Sequence, residues 1–129
     1  MTNKNKYGTL GTIRQADKKK NSAKPAKEAQ VRMKMQTLLN AQRMRLLPHA
    51  SQRMAQRGVI YYEVLQALSN AQHEPSKDRF SDEHQTWEYS FVGLTCDERR
   101  LRIAASFEKA QRLSEVLLIV TVIDLDSEG

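Results

Sequence analysis

Only one cysteine, Cys96, occurs among the 129 residues, which excludes an intrachain disulfide and a multi-cysteine structural zinc site. Long hydrophobic runs are also missing. None approaches the roughly 20 apolar residues that a membrane-spanning helix needs, so no membrane partner is expected. The opening residues MTNKNKYGTLGTIRQ lack the apolar stretch of a secretory signal. A cytoplasmic protein is the expectation that follows. Aromatics are few, at 6%, and acids are nearly absent from the first half. Residues 1–57 hold 14 Lys and Arg against 2 acids, a net +12, whereas residues 58–129 hold 7 against 13, a net −6. Such asymmetry points to an anionic-polymer-binding half joined to an acidic half. A solvated basic tail with no specific partner has the same composition. The length suits one domain with a tail.

Residues 1–25 read as a flexible basic arm, with KNK, KKKNSAK, two glycines and Pro25. Lys4, Lys6, Arg14, Lys18, Lys19, Lys20 and Lys24 of the arm, with Arg45 beyond it, are the candidates for sequence-independent contacts to nucleic acid. Residues 26–46 read as an amphipathic helix. Val31, Met35, Leu38 and Leu39 form its apolar stripe, opposite Lys27, Lys34 and Arg45. Pro48 ends that helix and suits the first turn of the next. The next covers 49–57, and Gly58 suits a left-handed closing cap. A third helix is expected over 61–71, with Val64, Leu65 and Leu68 apolar.

Near residue 72 the period changes. AQHEPSKDRFSDE reads as a loop, with at most a short edge strand near Arg79 and Phe80. QTWEYSFVGLT alternates, placing Trp87, Tyr89 and Phe91 on one side. After a turn at Asp97 and Glu98, RRLRIAASFE alternates again. SEVLLIVTVIDL is a near-continuous apolar run, as in a strand buried on both faces. Short links predict an antiparallel meander. Helices followed by strands predict an α+β fold, with N-terminal helices packed on a three- to four-stranded antiparallel sheet.

The stretch LPHASQRMAQRGV aligns His49, Arg53 and Arg57 four residues apart on one helical face. Three cationic groups in a row repel one another unless an anion lies among them. Metal-independent RNA cleavage needs a base for the 2′-OH, cations for the phosphorane and an acid for the leaving oxygen. An imidazole, with an ordinary pKa of about 6.5, serves as acid or base. Arginine meets phosphate bidentately and keeps its charge. The same stripe also fits noncatalytic phosphate binding, or a structural helix whose arginines lie in solvent over Met54.

HASQRMAQRGV…EVLQAL resembles the H-A-x-x-R-M-x-x-R-G-I…E-V-x-x-A-L signature of a widespread family of small bacterial and phage domains of unknown function. That family is similar to the RelE-like and BrnT-like toxin ribonucleases, in the group that includes EndoU and the colicin nucleases. WEYSFVGLT, RRLRIAAS and LLIVTVID resemble its three strands. The resemblance covers about residues 47–124 and implies a RelE-like α+β domain over 47–126. Position by position it implies a catalytic set of His49, Arg53 and Arg57 on the helix and Arg102 and Thr121 on strands. Ile60 departs from the family's Ser or Thr helix cap.

Other residues read less sharply. Tyr61, Tyr62 and Tyr89 fit base stacking or proton donation, but an aromatic in such a pattern more often belongs to a core. Ser106 lacks a nucleophile signature such as G-x-S-x-G. His73 and His84, with Asp78, Asp82 and Glu83, match no strong ligand spacing. No metal or cofactor is implied. The expected function is RNA binding with metal-independent, toxin-like endoribonuclease activity. The alternative is a nonenzymatic nucleic-acid- or protein-binding module of the phage or mobile-element inhibitor type. The apolar face of 31–46 suits a protein partner, such as an antitoxin or host protein, or a homodimer.

Overall fold

In the computed structural model, which describes residues 24–109 and 114–126, the first helix, α1 (Val31–Asn40), buries Val31, Met35 and Leu38 along one stripe. It starts later and ends sooner than the 26–46 pattern suggests. Gln42 takes a left-handed φ of 60°, and the Arg43 and Gln42 N–H groups donate back to the Leu38 and Leu39 carbonyls. That paired reversal terminates a helix, usually with glycine in the left-handed position. The chain then forms a strand, β1 (Met44–Leu46), where the reading above has helix. Met44 and Leu46 alternate with an exposed Arg45, but three residues are too few to display a period.

Next comes α2 (Pro48–Arg57), with proline in its first turn and Gly58 as its left-handed cap at φ 67°. The third helix, α3 (Tyr61–Ser69), follows. Ile60 supplies no side-chain cap there. Glu63 compensates by accepting the Ile60 N–H at 3.0 Å. The loop region contains two short strands, β2 (Gln72–His73) and β3 (Arg79–Ser81), around a 3₁₀ turn at Pro75–Lys77. Three long strands complete the chain: β4 (Thr86–Leu94), β5 (Arg100–Lys109) and β6 (Glu115–Asp124).

The β4–β5–β6 meander is antiparallel, as expected. The sheet as a whole is not. It has six strands in the order β1-β6-β5-β4-β2, with β3 also on β4, and β1 runs parallel to β6. The difference from a three- to four-stranded antiparallel sheet comes entirely from short strands. All three helices pack on one face. Val64, Ala67 and Leu68 of α3, Ala50 and Met54 of α2 and the α1 stripe share a core with Phe91, Leu101, Ile103, Leu117, Ile119 and Val122. A bulge near Ala104/Ala105 pairs Ala104 with Thr121 and Ala105 with Ile119, leaving Val120 extra. It shifts the inward set from Leu117 and Ile119 to Val122 and Asp124, and turns Thr121 to the other face. Among the described residues, no helix is long and apolar enough to cross a membrane.

Gly93 of β4 lies directly under α3. A Cβ there would sit 1.8 Å from the Ala67 carbonyl oxygen, a backbone atom that cannot swing away. Gly93→Ala is expected to cost about 3 kcal/mol or more, because α3 must lift from the sheet. Gly58→Ala meets open space and only a left-handed backbone, so its cost should be about 1–2 kcal/mol. Urea denaturation of both variants checks the order, and equal losses would contradict the packing described.

Candidate nucleic-acid interface

The α2 sequence fixes what its surface presents. Ala50 and Met54, one turn apart, face the sheet and are buried. His49, Arg53 and Arg57 form the flanking stripe, with His49 exposed and both arginines half-buried. The helix contains no acid, so nothing within it neutralises the stripe. His49 and Arg53 make no hydrogen bond or ion pair among the described residues, whereas Arg57 is engaged within the protein.

Other arginines are committed. Arg32 donates to the Ala71 carbonyl at 2.6 Å and Arg43 to the Glu115 carbonyl at 2.8 Å. Arg45 reaches Glu108 at 3.5 Å, Arg79 reaches Glu88 at 2.9 Å and Arg100 reaches Asp126 at 3.2 Å. Arg99 bridges Glu63 at 2.6 Å and Asp124 at 3.1 Å. Among the described residues, Arg53 is therefore the one arginine without an internal partner.

The five anticipated catalytic residues do not converge. Arg102 alternates with Leu101 and Ile103, so it points away from the helices. It holds Glu74 through two bonds, at 2.8 and 3.2 Å, and Ser90 donates to the same carboxylate at 3.0 Å. Thr121 lies on this helix-free face, in a shallow hollow of about 140 Å³ with Lys77, Arg79, Ser90 and Arg102. The His49–Arg53–Arg57 stripe belongs to the helix layer on the other side. Alternation alone foretells the outward Arg102, but not that the resembling positions divide between two faces.

Residues 46–124, more than half of the chain, match the family described as Domain of unknown function (DUF4258). The chain belongs to the DUF4258 family. The matched region begins at the last residue of β1 and ends with β6, so it contains α2 and the meander but not α1. No curated protein and no solved structure matches the chain.

Outside the DUF4258 region, Lys4, Lys6, Arg14, Lys18, Lys19 and Lys20 fall beyond the described residues. Lys24 lies 5.7 and 5.9 Å from the Phe80 and Trp87 ring centres. Trp87 donates to the Pro25 carbonyl at 2.8 Å, and the Tyr89 hydroxyl accepts the Glu28 N–H at 2.9 Å. Residues 25–28 thus lie along β4, a docking that their polar sequence does not announce. Arg45 borders a cleft of about 340 Å³ on the helix-free face, floored by Leu118 and Val120. His73 is paired with Asp78 at 2.9 Å, and His84 lies 3.4 Å from the Ser81 hydroxyl. No group of three metal-ligating side chains is gathered among the described residues. Tyr89 is buried in the core, but Tyr61 and Tyr62 are exposed, contrary to the core role expected of them.

The Arg102 guanidinium holds the Glu74 carboxyl below its ordinary range, and the same bonds raise Arg102. A carboxyl lowered in the folded state contributes stability above its unfolded value that is lost as pH falls through its folded value. Arg102→Ala is expected to lose up to about 1 kcal/mol at pH 7, the scale of a partly exposed pair. The deficit should shrink as the pH falls below the ordinary carboxyl range. Denaturant melts at neutral and acid pH test this, and a deficit independent of pH would show that Arg102 acts through packing.

Proposed function

We propose that this protein binds RNA phosphates through the basic face of α2 and cleaves the strand without a metal ion. One observation carries the reading: His49 and Arg53 stand on consecutive turns of an acid-free helix and are uncommitted, while the other arginines among the described residues are already engaged within the protein. Arg53 binds a phosphate oxygen pair, and Arg57 adds positive potential from the next turn. As the 2′-oxygen attacks phosphorus and the bond to the 5′-oxygen breaks, His49 either takes the 2′-OH proton or gives one to the leaving oxygen, and solvent water makes the other transfer. The basic arm adds affinity without sequence preference. The H-x3-R-x3-R-G signature and the likeness to RelE-like and BrnT-like toxins support this reading, together with a cytoplasmic, toxin-like or mobile-element role.

A second reading has its own observation. Arg102 is tied to Glu74, and Thr121 lies across the sheet from α2, so His49 is the one titratable group on the stripe. A site with a single proton-transfer group suits a nonenzymatic module that binds nucleic acid or a protein partner.

Purified protein incubated with single-stranded and structured RNA in EDTA distinguishes the two. On the catalytic reading, His49→Ala loses roughly 10²–10⁴-fold in rate with affinity nearly kept. Arg53→Ala loses both, because a phosphate ligand acts in ground and transition states alike. RNA binding without cleavage, weakened by Arg53→Ala, supports the module. Absence of RNA binding by the folded wild-type protein contradicts both RNA readings.

A further inference from the structure

Three consecutive large apolar side chains at the corner between α2 and α3 are left in solvent. Ile60, Tyr61 and Tyr62 are 61%, 49% and 63% exposed. The chain places this corner next to the α2 stripe. Three residues separate Tyr61 from Arg57, which holds their Cα atoms within roughly 14 Å. Glu63, the acid in the first turn of α3, is already paired. Glu63 accepts the Ile60 N–H with one oxygen and Arg99 with the other, at 3.0 and 2.6 Å. Glu63 therefore presents no unpaired carboxylate to an anion arriving at the tyrosines.

Flat exposed rings that follow a helix bearing an uncommitted arginine, Arg53, suit a chain that carries planar bases and phosphates together. Bases of an unpaired strand stack on aromatic side chains, whereas a duplex keeps its base faces covered. We propose that Tyr61 and Tyr62 form a base-stacking platform that makes the α2 site selective for single-stranded over duplex RNA. This inference rests on the RNA-binding reading of α2. Tyr61 and Tyr62 supply the stacking surface, Arg53 supplies the phosphate contact, and the two contributions are separable by salt. Stacking is insensitive to salt, while each phosphate contact steepens the salt dependence.

The test uses the full chain, a single-stranded uridine-rich RNA and a duplex RNA of equal length, with affinities measured over a range of salt. Wild type should prefer the single strand. The Tyr61→Ala/Tyr62→Ala variant should lose roughly 5- to 100-fold in single-strand affinity, keep its salt slope, and bind duplex as wild type does. Tyr61→Phe/Tyr62→Phe should retain the preference, because the ring remains. Tyr62→Ala alone, at the most exposed position, gives the same reading should the double variant unfold. Unchanged single-strand affinity in the alanine variants, with Arg53→Ala still weakened, overturns the platform and leaves the phosphate site standing. Wild type that binds neither RNA overturns both. Wild type that self-associates, with association lost in the alanine variants, shows the corner to be a homodimer surface and also overturns the platform.

Discussion

The arrangement depends on three residues of parallel pairing between β1 and β6. Met44–Leu46 lie against Leu117–Ile119, framed by the Leu117 N–H to the Arg43 carbonyl at 2.8 Å and the Leu47 N–H to the Ile119 carbonyl at 3.0 Å. This pairing joins segments 73 positions apart in the chain, so it carries a loop-closure cost that only the finished core offsets. Its register turns Met44 and Leu46 inward and Arg45 outward. Pro48 follows at once, so α2 must start at this edge and return across the helix side of the sheet. The basic stripe is consequently fixed in the helix layer, with Ala50 and Met54 as its floor.

That constraint divides the protein's positive charge between two uses. On the helix-free face, Arg79 and Arg102 are neutralised by Glu88 and Glu74. At the end of the sheet, Arg99 ties α3 to β6 through Glu63 and Asp124. These pairs orient secondary-structure elements and leave little potential for an anionic partner. On α2, by contrast, His49 and Arg53 serve no internal contact. A cation that helps neither packing nor pairing is where external chemistry is expected.

The long elements were legible because their periods persist. Trp87, Tyr89 and Phe91, then Leu101, Ile103 and Ala105, alternate for long enough to declare strands, and Pro48 and Gly58 declare both ends of α2. The short strands were not legible. Met44–Leu46 continues a helical stripe in composition and becomes a strand only because β6 needs an edge partner. Gln42, rather than glycine, takes the left-handed turn, so the end of α1 carries no residue signal. For the site, the i, i+4, i+8 spacing gave the stripe directly. The toxin-ribonuclease resemblance expected from the sequence added Arg102 and Thr121, whose side of the sheet is set by strand parity and by the bulge at Val120. Tyr61 and Tyr62 read as core because they open an apolar helix, yet they occupy its solvent end.

Whether the proposed RNA contact lies on α2 or on the helix-free face is the central question, and an NMR titration addresses it most directly. Isotope-labelled protein is titrated with single-stranded RNA and amide shifts are followed residue by residue. The account predicts perturbations concentrated on residues 48–62, with Arg79, Glu88, Arg102 and Thr121 nearly still. Perturbations centred on Glu74, Arg102 and Thr121, with α2 unmoved, would contradict it.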